Sequence, residues 1–489
     1  MTKLQTYIQN TPIDQIDAGY LAFLANLEQI NAISPTIGQS IVNELKDQRT
    51  HLKLIASENY ASLGVQAAMG NLLTDKYAEG VPYNRFYAGC DNVDAIEAEA
   101  AALACELFGA EHAYVQPHSG ADANMVAFLA ILMAKVGKPF ADERETDIVK
   151  LTAGDFEAMR KLYGNQKLMA LDLYSGGHLT HGYRLNNSAL MFDVHPYSVD
   201  KNTHLLDLEV IREQALKVKP LILLAGYSAY SRHIDFKRMR EIADEVGAVL
   251  MVDMAHFAGL VAGKAFEGVH NPIPYAHVVT TTTHKTLRGP RGGMVLCQKE
   301  FAEFVDKGCP AILGGPLPHV MAAKALAFRE ALQPAFQTYA QQVIKNAQAL
   351  AVAFVKRGVE VITGGTDNHL MLIDVQKSYG LTGRQAESAV RAGGVTLNRN
   401  GLPFDVNGPW YTSGLRMGTP ALTTLGLGEQ EMDAVAEIIH RILSATKPTP
   451  TKSGMSQAKF VTDEAVLVQA KEQVEVLLGR FPLYPELEV

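Results

Sequence analysis

Asp253 closes the apolar run A-V-L-M-V-D, and His256 follows three residues later. The carboxyl end of a strand is where open α/β sheets bind their ligands. A bare carboxylate buried there is costly and calls for a cationic partner, which a protonated pyridinium nitrogen would supply. Alone, such an Asp more often caps a helix or pairs with an Arg. The next apolar run, H-V-V-T-T-T-T-H-K, delivers Thr282, His284 and Lys285 at its end and leads into G-P-R-G-G. A Schiff base needs a lysine in this setting, because the amine must lose its proton and desolvation near other cations lowers its pKa. Alone, a surface Lys on a Thr-rich edge strand is equally expected. Asp253 and Lys285 on consecutive strand ends shift the weight toward a shared site.

Further residues fit the same ligand. In A-Y-V-Q-P-H-S-G-A-D-A-N-M, Ser119 and Gly120 stand where a strand turns into an apolar helix, a place that attracts phosphate but also suits a plain N-cap. The Gly314-Gly315 turn offers more amides, or is only a turn. In S-G-G-H-L-T-H-G, two glycines before His178 let the backbone pass close to a flat ring on which the imidazole could stack. The two histidines of this motif lack further ligands at metal spacing, so no metal is expected. Arg416, within Y-T-S-G-L-R-M-G-T-P-A, suits bidentate capture of an amino-acid carboxylate, although a lone Arg more often sits in a structural ion pair.

The elements that must position these groups follow from the apolar pattern. Short runs at 221–224, 248–252, 277–282 and 293–296 are apolar on both faces, as in a sheet covered by helices on both sides. The helical pattern of 238–245 between two of them argues for an α/β domain with a mostly parallel sheet. A long helical stretch, 318–357, leads into a smaller α+β unit with strands expected at 359–363, 370–375, 394–398 and 414–417 and helices at 382–392 and 429–443. We therefore expect an N-terminal helical segment (1–55), a large domain (56–335) with a charged insertion near 135–168, and a small domain (336–489). Within the last, 447–456 reads as a linker by composition and 462–478 as a terminal helix.

The 489 residues are 47% hydrophobic and 20% charged, the balance of an ordinary globular protein, and the net charge of -8 argues against a generally basic nucleic-acid surface. Four cysteines without C-x-x-C spacing read as thiols in a reducing compartment. The polar start predicts no secretory leader, and the most apolar stretch, 248–266, is too interrupted by charge to span a membrane. A cytoplasmic protein is expected.

Nine motifs occur in order: L-I-A-S-E-N-Y, D-K-Y-A-E-G, Q-P-H-S-G, G-G-H-L-T-H-G, V-D-M-A-H, T-T-T-T-H-K, G-P-R-G-G, G-G-T-D-N-H-L and T-S-G-L-R-M-G-T-P-A. From about residue 30 to the final R-F-P-L-Y-P, the chain closely resembles serine hydroxymethyltransferase, a fold-type I pyridoxal-phosphate enzyme of one-carbon metabolism and glycine biosynthesis. The resemblance implies a large domain with a mostly parallel sheet and a smaller C-terminal α+β domain. It also implies reversible transfer of the serine hydroxymethyl carbon to tetrahydrofolate, giving glycine and methylenetetrahydrofolate.

On that likeness Lys285 carries pyridoxal phosphate as a Schiff base, and Asp253 holds the pyridinium nitrogen. His178 stacks on the ring, Ser119 and Gly120 hold the phosphate, and Ser228 and His256 lie near the phenolic oxygen. Thr282 and His284 join the catalytic set, while Ser57, Tyr87, His256 and Arg416 bind the amino acid. A homodimer with shared active sites is implied, in which Tyr77, Glu79, Tyr87 and the Gly314-Gly315 amides arrive from the second subunit and Glu79 handles protons. Folate would contact Glu79, Leu173, Gly177, His178, Leu179, Asn400, Gly408, Pro409 and Trp410. Four departures stand out: Ala121 where relatives often carry a second phosphate-binding Ser, with Asp122 beside it; Phe86 for one Tyr of a pair; the 135–168 insertion; and the long linker. The nearest rivals are another fold-type I enzyme, such as a threonine aldolase or an amino-acid racemase, and a non-catalytic binding protein on the same scaffold.

Overall fold

Seven strands build the central sheet: β1 (His112–Tyr114), β2 (Lys167–Leu171), β3 (Asp193–Tyr197), β4 (Ile222–Gly226), β5 (Val249–Asp253), β6 (Val278–Thr282) and β7 (Gly293–Cys297). The computed structural model describes residues 2–452 and 454–488. Their order is β1-β7-β6-β5-β4-β2-β3, parallel throughout except that β7 runs antiparallel to both β1 and β6. Every residue of β4, β5, β6 and β7 is buried, which is why these runs show no polar alternation. Successive side chains serve opposite layers: Leu250 and Val252 pack in one core with Leu223 and Val279, Val249 and Met251 in the other with Ile222 and Val278.

Helix α1 (Gly120–Leu132) packs in the second of those cores through Ala123, Val126, Ala127 and Ile131. With its continuation to Asp142 it is long and apolar enough to cross a membrane, yet half of that window is buried against the protein. The region expected as an insertion is largely helical. A π-turn (Met133–Gly137) carries α1 into Lys138–Asp142, a helix follows at Ala153–Gly164, and the last two residues, 167 and 168, already belong to β2.

The expected helical stretch 318–357 is two helices, α2 (Pro318–Ala331) and α3 (Pro334–Lys356). Pro334 lacks an N–H and pushes Gln333 into an extended conformation, which ends the first helix. The front of α3 (Phe336, Tyr339, Ala340, Val343) belongs to the large core, and its rear (Ala347, Leu350, Ala351, Phe354) belongs to the small one. The boundary expected at 335 therefore lies at the start of a helix that serves both units. The small sheet is antiparallel, with β8 (Glu360–Val361), β9 (Leu370–Asp374), β10 (Asn398–Asn400) and β11 (Gly414–Gly418) in the order β8-β9-β11-β10.

One expectation near the C-terminus needs correction. Residues 447–456 do not form an open linker. Thr446–Thr451 and Gly454–Thr462 pair as an antiparallel hairpin, pinned by the Gln385 amide donating to the Ser456 and Lys459 carbonyls at 2.6 and 2.9 Å. Pro448 and Pro450, which made the stretch look like linker, are tolerated because the ribbon has free edges and shifts register between them. The terminal helix is Glu464–Gly479, starting where the Asp463 carboxylate accepts the Ala465 N–H. The N-terminal helices, among them Ala18–Ile33 and Pro35–Thr50, pack on this end of the chain through Tyr20, Leu24, Leu45, Leu483 and Leu487.

Candidate active site

Parallel β5 and β6 deliver Asp253 and the Lys285 loop to the same edge of the sheet, where a cavity of about 410 Å³ opens. Its lining includes Ser57, Ser119, Gly120, His178, Ser228, Asp253, His256, Thr282, His284, Lys285 and Arg416, residues drawn from seven separate stretches of sequence. Burial lowers the Lys285 ammonium pKa to about 8; Asp253 opposes the shift, and the Arg416 and Arg291 charges add to it.

Among the described residues no Lys or Arg pairs with buried Asp253. Its Oδ2 accepts from Asn124 Nδ2 at 2.9 Å and from His181 Nε2 at 3.1 Å, and its Oδ1 accepts the Ala255 N–H at 3.0 Å. Burial would raise its pKa, but these donors, with the His181 and His178 rings, hold the carboxyl below the ordinary carboxylate range. The orientation of each donor is fixed by a further bond. His181 Nδ1 accepts the His178 N–H at 3.3 Å, which leaves the ring proton on Nε2 for Asp253. Asn124 Oδ1 accepts the Thr280 hydroxyl at 2.5 Å, so its amide nitrogen faces both Asp253 and Thr180 Oγ1. A buried, ionised carboxylate whose partners are an amide, an imidazole and a backbone N–H is suited to one more partner, a cation entering from the cavity.

His178 borders the cavity with Nδ1 held by Thr180, whose hydroxyl lies at 2.7 Å and backbone N–H at 3.2 Å. Burial, opposed by Asp253, lowers its pKa to about 4, so it presents a neutral ring. Ser119 caps α1: its Oγ accepts the Asp122 N–H at 3.1 Å and its hydroxyl donates to Asp122 Oδ2 at 2.9 Å. Gly120 has no room for a side chain, since a Cβ would lie 2.6 Å from Thr282 Cγ2. Arg416, on β11, lines the cavity and donates through Nε to Asn398 Oδ1 (3.0 Å) and through Nη1 to the Ser228 carbonyl (2.7 Å). Burial lowers its pKa to about 10, so it stays charged at neutral pH. Thr282 Oγ1 donates to the Ala255 carbonyl at 3.2 Å, tying the ends of β5 and β6 together. These groups fit pyridoxal phosphate: an amine, an anion for the ring nitrogen, a flat neutral imidazole and a helix N-terminus converge on one cavity.

The site's likeness extends to whole proteins. Residues 30–138 and 156–439 match the sequence model of the serine hydroxymethyltransferase family. The serine hydroxymethyltransferase of Treponema pallidum is 59% identical over 487 residues, covering 99% of this chain and 85% of the relative. Those of Salinispora tropica (56% over 470 residues, 96% and 98% covered) and Chlamydia trachomatis serovar L2 (50% over 490 residues, 99% and 98%) are also similar. The chain belongs to the serine hydroxymethyltransferase family. It is a pyridoxal-phosphate-dependent transferase with a fold-type I large domain. The family match skips residues 139–155, the centre of the segment expected as inserted.

Not every residue expected at a serine hydroxymethyltransferase site lies in the Lys285 cavity. Tyr77, Glu79 and Tyr87 form a separate cluster in which both tyrosines are exposed and Glu79 is half-buried: Glu79 accepts from the Tyr77 hydroxyl at 3.3 Å and the Tyr87 hydroxyl at 3.1 Å, and the two rings meet edge-on at 5.2 Å. Gly314 and Gly315 adjoin it, with a Cβ on Gly315 falling 3.2 Å from the Tyr77 ring. Of the expected folate contacts, Leu173 lines a second cavity of about 480 Å³ on the far side of His178, and Leu179 is exposed beside it. Gly177 is packed so that a Cβ would lie 2.0 Å from the Leu171 carbonyl. Asn400 donates to the Gly401 carbonyl, and Gly408 and Pro409 start a short helix that carries exposed Trp410 near Arg399.

Several residues that act on the site were not singled out from sequence. Asn124, Thr180 and Thr280 build the Asp253 network, and Glu58 and Arg291 line the cavity. Lys324 on α2 is wholly buried, and its ammonium donates to the carbonyls of Val115, Pro117 and Gly293 at 2.5, 3.0 and 2.7 Å. It ties β1, the turn leading to Ser119, and β7 into one unit. Only His181, from a motif already noted for two histidines, carried a signal that sequence could have used.

Proposed function

We propose that this chain binds pyridoxal phosphate through Lys285 and transfers the hydroxymethyl carbon of serine to tetrahydrofolate, reversibly, with the residue roles below. One observation carries the assignment: the buried, ionised carboxylate of Asp253 faces the same cavity as the Lys285 amine, whose pKa is about 8. When bound, the cofactor supplies an electron-withdrawing ring joined to the amino group of the substrate. Asp253 keeps the ring nitrogen protonated, and His178 holds the ring flat. Ser119 and the N-terminal amides of α1 hold the phosphate. Arg416 grips the substrate carboxylate and, with Ser57, sets which Cα bond stands perpendicular to the ring. Lys285, as the neutral amine, exchanges a proton at Cα.

Glu79 is our candidate for moving the proton of the serine hydroxyl. In the single chain it lies outside the Lys285 cavity, so we assign it, with Tyr77, Tyr87 and the Gly314-Gly315 amides, to the site of a second copy in a homodimer. The exposure of the two tyrosines, 58% and 47%, supports a covering partner. Leu173, Gly177, His178, Leu179, Asn400 and Gly408–Trp410 are our folate contacts. The four free thiols favour a cytoplasmic setting.

Lys285→Ala is expected to lose the near-visible absorbance band that the loaded cofactor gives with its lysine. A retained band would exclude Lys285 as the attachment point. Serine cleavage by the wild-type protein should rise steeply when tetrahydrofolate is added; cleavage indifferent to folate would favour an aldolase.

A further inference from the structure

His256 lines the cofactor cavity, and its Nδ1 lies 3.2 Å from Nε2 of His369, a residue of the small domain that is fully buried two residues from Asp367, beside Asn368. The rings are nearly parallel, at 28° with centroids 5.4 Å apart. Two facing ring nitrogens at this distance need one proton between them, and each neutral imidazole carries only one. Burial, with the cationic Lys285 and Arg416 nearby, holds both rings neutral; the His369 pKa falls to about 3 and that of His256 lies well below its ordinary value. The proton therefore has two possible homes, and they are not equivalent. If His256 Nδ1–H donated, His369 would carry its own proton on Nδ1, a buried atom without a partner. A buried N–H with no acceptor gives up its hydration with nothing in exchange. If His369 Nε2–H donates instead, its Nδ1 is left as an unfilled acceptor, which buried groups tolerate more often than an orphaned N–H, and the proton of His256 sits on Nε2, the nitrogen left for the cavity.

We infer that His369 is a positioning residue that locks His256 as the Nε2–H tautomer, so that His256 gives a hydrogen bond to an oxygen in the cavity and cannot accept a proton there. The inference rests on reading this cavity as the cofactor and amino-acid site, but the proton's location does not depend on the Lys285 chemistry. A carboxylate at the position of His369 would do the opposite: in hydrolytic triads an acid holds the Nδ1 proton and thereby makes the other nitrogen a base. Here a second histidine replaces the acid, which suits a site whose acceptor work belongs to Lys285 and Glu79. On the proposed reading of the cavity, the acceptor would be an oxygen of the cofactor or of the amino-acid substrate.

The test is ¹⁵N NMR on cofactor-loaded protein labelled at histidine, repeated after the cofactor is removed, with the His256 signals identified by their loss in His256→Gln. We expect a pyridine-type shift for His256 Nδ1, a pyrrole-type shift for its Nε2, and a coupling across the hydrogen bond from His369 Nε2 in both states. A pyrrole-type Nδ1 on either ring, or an imidazolium, would overturn the proposal with no variant required. His369→Glu is expected to move the His256 proton to Nδ1, visible as an exchange of the two shift types. An unchanged His256 pattern in a folded His369→Glu protein would show that His369 does not set the tautomer. Loss of the Lys285 absorbance assignment, by contrast, would leave these spectra unaffected and would sink the functional reading instead.

Discussion

Lys285 and Arg416 show how burial tunes single groups for opposite tasks. Lys285 must shed a proton to act as a nucleophile, and its pKa of about 8 is depressed from the ordinary lysine value by burial and by Arg416 and Arg291, against the pull of Asp253. Below that pKa the amine is mostly ammonium and unreactive; above it the neutral form dominates. The rate at which cofactor-free protein takes up pyridoxal phosphate, followed by absorbance, should therefore rise with pH and level off above about 8. A rise continuing toward pH 10 would mean that Lys285 titrates as an exposed lysine. Arg416 stays charged, and its loss removes a charge-assisted contact worth about 1.5–3 kcal/mol. Arg416→Ala should accordingly raise the serine KM by roughly 10- to 100-fold with a smaller change in kcat; steady-state kinetics in serine decides this, and an unchanged KM excludes the role. Asp253→Asn should weaken cofactor binding and displace the absorbance of what remains bound, because an amide cannot hold a proton on the ring nitrogen.

At the scale of elements, the site depends on strand ends that agree in height, and Lys324 supplies one of the ties. Its ammonium has three carbonyl partners, two on the run from β1 into the Ser119 turn and one at the start of β7. Lys324→Met keeps the length of the side chain but strands those acceptors in a dry interior. We expect a stability loss of at least about 2 kcal/mol and weaker cofactor affinity, read by thermal melting and cofactor titration. Much of this scaffold was legible in sequence, because β4 to β7 are buried on both faces and so appear as unbroken apolar runs between helical segments. Asp253, Lys285 and Arg416 were legible because each ends or occupies such a run inside a distinctive motif. The residues that orient them were not. Asn124 looks like an ordinary polar residue on a helix, and Lys324 like one more surface lysine; only the fold reveals that both are buried and what they face. The hairpin at 446–462 was misread for a different reason: prolines and threonines signal a linker, and nothing local announces that Gln385 will pin the ribbon.

At the scale of the whole molecule, one chain holds the amine and the carboxylate anchor in a cavity, while Glu79 lies outside it between two exposed tyrosines. A shared site in a symmetric dimer would reconcile the two, since an isologous contact brings the patch of each copy to the cavity of the other. Complementation measures this directly. Lys285→Ala and Glu79→Gln proteins, each inactive alone, are unfolded together, refolded as an equal mixture and assayed for folate-dependent serine cleavage. If sites are shared, each mixed dimer contains one site with an intact lysine from one copy and an intact glutamate from the other, and one with neither. Half of the dimers are mixed and half of their sites work, so activity should recover to about one quarter of wild type. If each chain builds its site alone, every site lacks one of the two groups and no activity returns. Recovery would place Glu79 across the interface; its absence, with dimers verified by mass, would place Glu79 and Lys285 in the site of one and the same chain and exclude the shared arrangement.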